Sequence, residues 1–135
     1  MKSKPKPFNG GQWTAARYRS FIMSALRRAQ WPVKYAAIKT AYKGDGINPA
    51  TGRKCKLHEC QRCKKLFPAK DVRADHIKPI VPVTGFDTWD KTIERLFCEI
   101  GGFQVLCVPC HKIKTDEENR QRKINKNLQN KQSQQ

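Results

Sequence analysis

A chain of 135 residues has room for one modest domain and its tails, and a core of that size often needs a disulfide, a metal or a partner to be secure. The formal net charge of +17 exceeds what solubility requires and points to a polyanion, with nucleic acid ahead of an anionic membrane. Apolar runs such as Ile80-Val81-Pro82-Val83 fall far short of the roughly 20 residues of a spanning helix, and the lysine-rich start has no apolar segment behind it; no membrane contact and a reducing, cytoplasmic setting are expected.

Residues 1–12 form a Lys/Pro/Gly-rich arm that cannot bury apolar surface and is expected to be mobile until a ligand such as a phosphate backbone orders it. Trp13 to Gln30 reads as an amphipathic helix, with Phe21, Ile22, Ala25 and Leu26 on one side and Arg17, Arg19, Arg27 and Arg28 elsewhere. Trp31-Pro32 stops it, and a second short helix is expected from Val33 to Tyr42. Gly44 to Gly52 is dense in turn formers and reads as a loop or hairpin, the best place for a boundary.

Cys60-Gln61-Arg62-Cys63 then opens a cysteine knuckle with Phe67 beneath it, and Val72 to Ile77 is a short strand ending in Asp75-His76. A helix is expected from about Thr88 to Glu99, with Trp89, Ile93, Leu96 and Phe97 as core residues. Phe103 to Leu106 makes a second strand, and Cys107-Val108-Pro109-Cys110 opens the last helix. Thr115-Asp116-Glu117-Glu118 fits a capping box, so that helix is expected to restart or kink there and run to about Leu128, leaving Gln129 to Gln135 as a disordered tail.

Of the six cysteines, Cys60, Cys63, Cys107 and Cys110 form two Cys-x-x-Cys pairs. In a reducing compartment such pairs read first as zinc ligands, and a closed set of four thiolates leaves no position for water, which makes the zinc structural. Cys98 fits the apolar stripe of its helix and Cys55 is left over. Cys107 to His111 also matches the c-type haem attachment pattern, but haem needs export and an apolar pocket, and the upstream knuckle would be unexplained. His58, two residues before Cys60, is not counted as a ligand.

If one zinc ties the two knuckles, the strand ending in Asp75-His76 is brought against the strand entering Cys107, with His111 facing it. Asp75 and His111 can then hold one divalent ion with open positions, while His76, its far nitrogen held by a backbone carbonyl or other acceptor, takes a proton from water. Lys78, Lys112 and Lys114 flank the motifs as candidate phosphate contacts, and Glu94 and Glu99 as extra carboxylates or plain solvated surface.

Cys-x-x-Cys, then Asp-His-Ile-x-Pro, then Leu-Cys-x-x-Cys-His-x-x-Lys-Thr resembles the HNH endonucleases, in particular the small zinc-bearing kind often encoded by bacteriophages. The match runs from about Cys60 to Glu118, with Thr84 to Asp90 and Glu94 to Glu99 similar to that group's connecting segment. The resemblance implies an α+β fold: a ββα-metal, treble-clef-like module with a structural four-cysteine zinc site, preceded by an N-terminal helical arm. The expected organisation is a flexible basic arm at 1–12, a helical extension and turn-rich linker at 13–54, the nuclease domain with its C-terminal helix at 55–128, and a tail at 129–135.

It further implies metal-dependent hydrolysis of DNA phosphodiesters, with His76 as general base, and with Asp75 and His111 as ligands of a catalytic Mg2+ or Mn2+. The family asparagine falls on Gly102, where the backbone freedom of glycine is expected to keep the turn. Two other readings stand beside it. One is a non-catalytic zinc module that only binds nucleic acid, and the other is a phage packaging accessory whose nuclease works with a terminase or another phage DNA-processing protein.

Overall fold

The computed structural model describes residues 2–133, so Met1 of the predicted arm and Gln134 and Gln135 of the predicted tail lie outside the described residues. The chain divides into two compact units, residues 1–32 and 33–135. Among the described residues no helix is long and apolar enough to cross a membrane.

The first unit holds helix α1 (Ala15–Ala29), capped by Thr14, whose side-chain oxygen accepts from the Arg17 amide at 3.2 Å. The basic arm is partly built. Phe8 and Trp13 exchange backbone hydrogen bonds of 3.2 and 3.0 Å across a turn whose Asn9, Gly10 and Gly11 all have positive φ. Phe8 stacks on Tyr18 at 4.1 Å and Trp13 lies 5.0 Å from Phe21, so aromatic contacts hold residues 8–13 where lysine and proline content alone suggests mobility.

Helix α2 (Trp31–Thr40) starts at Trp31 with Pro32 in its first turn. Trp31-Pro32 therefore opens the second helix as well as closing the first, since proline's fixed φ suits a helix start. Strands β1 (Tyr42–Ile47), β2 (Lys54–Glu59) and β3 (Leu66–Pro68) form an antiparallel sheet in that order. The turn-rich segment is thus the first hairpin of the second unit. The Asn48 amide donates to the Arg53 carbonyl at 2.9 Å, and the Gly52 amide returns to the Asn48 carbonyl at 2.8 Å.

Ala37, Ile38 and Ala41 share a core with Val72, Ala74, Phe103 and Val105. Residues 33–54 therefore belong with the cysteine module, and the expected boundary at 54/55 moves to 32/33. Of the expected loop or hairpin the structure makes a hairpin, whose first strand went unread because Gly44 and Gly46 break the alternation that marks a strand.

Strands β4 (Val72–His76) and β5 (Phe103–Cys107) pair antiparallel, with Asp75 opposite Gln104 and His76 opposite Phe103. Between them lies helix α3 (Trp89–Leu96), capped by Thr88. Its buried residues are Thr92 and Leu96, while Ile93 and Phe97 are exposed, contrary to the stripe read from the sequence. The burial of Thr92 is tolerated because its hydroxyl donates to the Thr88 carbonyl at 2.7 Å.

Helix α4 (Val108–Ser133) runs without interruption through Thr115 and through Gln129 to Ser133, where a kink and a disordered tail were expected. Its polar side chains explain the difference. Arg122, Asn125 and Gln129, one per turn, donate to the Val81, Val83 and Thr84 carbonyls at 2.9, 3.0 and 3.2 Å. The extended, proline-interrupted 81–84 segment finds its hydrogen-bond donors on that helix face.

Candidate metal centre and the Asp-His site

The first knuckle turns where Lys64 takes a positive φ of 65°, which lets the Lys64 amide donate to the Cys60 carbonyl at 2.9 Å and the Cys60 amide to the Lys65 carbonyl at 3.0 Å. The second knuckle is made by the end of β5 and the first turn of α4. The Gln61 amide donates to the Val105 carbonyl at 2.9 Å and ties one knuckle to the other.

The four sulfurs of Cys60, Cys63, Cys107 and Cys110 lie within 4.8 Å of one another, with Cys63 and Cys107 3.9 Å apart. A tetrahedral ion with sulfurs at about 2.3 Å sets neighbouring sulfurs about 3.8 Å apart, so the quartet can hold a structural metal such as zinc. Leu106 and Phe67 pack around it. Burial raises the Cys60 thiol's pKa, but amides of Cys107, Cys63 and Arg62 outweigh burial and bring it down to about 6. Cys110 is pushed up to about 12 by its hydrogen bond with Cys107 and by burial. Four close thiols cannot all ionise without a cation among them.

Strand alternation places Asp75 and His76 on opposite faces of β4. Asp75 faces α4: its Oδ1 is 3.5 Å from His111 Nε2, and Gln104 Nε2 donates to its Oδ2 at 3.1 Å. The structure therefore brings the predicted ligand pair together. His76 is buried against Phe103, with ring centroids 4.5 Å apart. Its Nε2 is 2.9 Å from the Leu96 carbonyl, which can only accept, so Nε2 carries the proton and the lone pair is on Nδ1. This carbonyl belongs to the last turn of α3, where helix carbonyls lack partners, so His76 also caps that helix. It is the acceptor that the sequence could not identify.

Lys114 departs from its expected role. Its ammonium reaches Asp75 Oδ2 and Glu118 Oε1, each at 2.6 Å, and donates to the His76 carbonyl at 3.1 Å. Burial lowers its pKa, but hydrogen bonds to Asp75 and Glu118 outweigh that and raise it, so this cation stays charged. A lysine committed to two carboxylates is not a free phosphate contact. Glu118, one turn beyond Lys114, is the neighbour that sequence reading missed; its i,i+4 spacing from Lys114 was the available signal. Lys112 is largely exposed beside Asp116 at 2.7 Å, and Lys78 is exposed. Glu94 and Glu99 are exposed, and Glu94 lines a cavity of about 370 Å³ with Ile77, Lys78, Arg95, Cys98 and Gly102. His58 is buried.

Replacing Lys114 by methionine keeps the chain length and deletes the charge. Asp75 and Glu118 are then left partly buried and unneutralised, and urea unfolding should show a loss of about 1–3 kcal/mol. Unchanged stability would mean that the pairs are as weak as exposed ones.

Gly102 is not held by unusual backbone dihedrals. A Cβ there would come within 2.6 Å of Cys98 Sγ and 2.8 Å of Cys98 Cβ, so space and not freedom of φ requires glycine. Its carbonyl accepts from the Ile77 amide at 3.0 Å and its amide donates to the Glu99 carbonyl at 2.8 Å, which hold the turn without a side chain. Gly102→Asn should therefore destabilise the protein by about 1–3 kcal/mol through overpacking. The double variant with Cys98→Ala loses the sulfur at 2.6 Å but keeps the Cβ at 2.8 Å, so it should recover part of that loss in the same melt, and no recovery would refute a clash at the sulfur.

No family model matches the chain, and no curated protein or solved structure matches it either.

Proposed function

We propose that this protein is a metal-dependent endonuclease of the HNH type that hydrolyses DNA phosphodiester bonds. The observation that carries the reading is the approach of the Asp75 carboxylate to the His111 imidazole, 3.5 Å apart, beside a His76 whose tautomer is fixed by the Leu96 carbonyl. The order β4, β5, α4 suits the proposed ββα-metal module, and the four cysteines suit zinc. The net charge of +17 suits a DNA substrate.

Asp75 and His111 would hold the divalent ion, Mg2+ or Mn2+. To bind there the ion would have to displace the Lys114 ammonium from Asp75 Oδ2. When bound, such an ion neutralises charge developing on the phosphate. His76 Nδ1 takes the proton of the attacking water, and the Nε2–H bond to Leu96 keeps the ring oriented as it becomes an imidazolium. Gln104 steadies the carboxylate of Asp75. Lys78, which is exposed, would contact flanking phosphates, as would Lys112 on leaving its exposed pair with Asp116.

The expected product is a 5′-phosphate and a 3′-hydroxyl. Nicked plasmid from the reaction should be resealed by DNA ligase without end repair, and ends that ligase cannot join would contradict the mechanism.

A second reading, a zinc-containing module that binds nucleic acid without cutting it, is favoured by two observations. Lys114 occupies the carboxylate that a metal would need, and Gly102 stands where the family carries asparagine. Divalent ion would then fail to displace Lys114. A terminase or another phage DNA-processing protein, met in the host cytoplasm, is the partner proposed for the cutting form.

A further inference from the structure

Away from the cysteine quartet and the Asp75 site, a cavity of about 410 Å³ opens between α2, the start of β1, and β2, lined by Tyr35, Ile38, Lys39, Tyr42, Lys56, His58 and Ala69. Such a volume is in the range of small-ligand sites, about 300–1,000 Å³. Three features distinguish it from a generic surface groove.

Two of its aromatic walls are open to solvent, with Tyr35 51% and Tyr42 43% exposed. Exposed rings of this size on a basic protein are stacking platforms, since every nucleobase offers a π-face. The Tyr42 ring is steadied by its hydroxyl, which donates to Asp45 at 2.8 Å. Cationic groups stand beside the rings: Lys39 Nζ lies 4.6 Å from the centre of the Tyr35 ring, Lys56 is on the adjoining strand, and among the described residues no acidic one lines the cavity. His58 is only 5% exposed, and its Nδ1 is buried with no hydrogen-bond partner among the described residues. A buried ring nitrogen without a partner is costly, and at the wall of a cavity it marks a place for a polar ligand atom.

We infer that this cavity binds one unpaired nucleotide of a nucleic-acid strand. The base stacks on Tyr35 and Tyr42, its polar edge meets His58 Nδ1, and Lys39 and Lys56 take the phosphate. In a duplex the bases are stacked on each other and present no face to a protein ring, so the occupant is a single strand or a flipped or frayed nucleotide. The inference rests on the nucleic-acid reading of the charge but not on the cleavage chemistry, because none of its residues belongs to the Asp75 site.

The test uses the full zinc-loaded chain without Mg2+ or Mn2+, and fluorescence anisotropy with labelled dodecamers of thymidylate, of uridylate, and of a mixed-sequence duplex, with inorganic polyphosphate as a base-free competitor. Both single strands should bind in preference to polyphosphate. Tyr35→Ala should weaken single-strand binding about tenfold, the scale of losing one stacked base, while Tyr35→Phe stays within about twofold of the wild type. Duplex affinity should change by less than about twofold in either variant. His58→Phe, which keeps the ring and deletes the nitrogen, should weaken single-strand binding by a smaller factor.

Retained duplex binding with single-strand affinity indifferent to Tyr35→Ala overturns the cavity proposal and leaves the nucleic-acid reading intact. Equal losses on duplex and single strand, or equal displacement by polyphosphate, overturn it as well. Failure to bind any nucleic acid overturns both.

Discussion

Cys60→Ser should leave the 33–135 unit without its fold. Cys60 is fully buried, its amide and carbonyl close the knuckle turn, and its sulfur is one of four within 4.8 Å. Zinc binding by such quartets is worth on the order of 10 kcal/mol at neutral pH, and that binding is folding free energy. Small domains are stable by only about 5–15 kcal/mol, so losing one ligand removes most or all of the margin. The surrounding core is too thin to compensate. Around the quartet it consists of Leu106 and Phe67, and the neighbouring cluster depends on alanines at 37, 41 and 74. Circular dichroism should show no cooperative melt for Cys60→Ser, and elemental analysis should find one zinc per wild-type chain and none in the variant. A zinc-free wild type with an unchanged melt would refute the structural role.

His76→Ala should abolish cleavage while leaving zinc content and DNA retention intact. General-base catalysis contributes about 10²–10⁴-fold, and the imidazole proposed as that base is the one whose Nε2 is bonded to the Leu96 carbonyl. The same substitution deprives the end of α3 of its cap and removes the ring packed on Phe103, so a stability loss of about 1–3 kcal/mol should accompany it. The two effects separate in His76→Gln. An amide can still donate to the Leu96 carbonyl but cannot serve as a base, so stability should return in part and cleavage should not. Activity in His76→Gln close to the wild type would reassign His76 to a purely structural role.

The sequence carried those features whose information is local. A Cys-x-x-Cys spacing fixes where two sulfurs can go, and both pairs converge. The two strands that carry Asp75 and lead into Cys107 follow from their alternation, and Thr88 marks the start of α3. What escaped was set at long range or by space. A loop or hairpin was legible at Gly44 to Gly52, but strand β1 was not, because it has glycines where a strand pattern needs side chains. The length of α4 depends on Arg122, Asn125 and Gln129 finding the 81–84 carbonyls about forty positions away in sequence, as their 2.9, 3.0 and 3.2 Å bonds record. Ile93 and Phe97 share a helical stripe with Leu96, yet only Leu96 faces the interior, because periodicity gives a face and not its width.

At the candidate site, the meeting of Asp75 with His111 followed from closing the loop between the knuckles. The Lys114–Glu118 arrangement did not, since a lysine read in isolation is a surface charge. The reason for Gly102 was also invisible, because it lies in the Cys98 side chain four positions earlier and not in the glycine's own backbone.

The claim that Asp75, His76 and His111 form a working nuclease centre is met most directly by incubating supercoiled plasmid with the zinc-loaded protein in Mg2+, in Mn2+ or without added divalent ion, alongside His76→Ala and His111→Ala. The account predicts relaxed or linear plasmid only for the wild type and only with the added ion, with all three proteins retarding the plasmid on a gel. Supercoiled plasmid left equally intact by all three, while still retarded, would contradict it and identify a binding module.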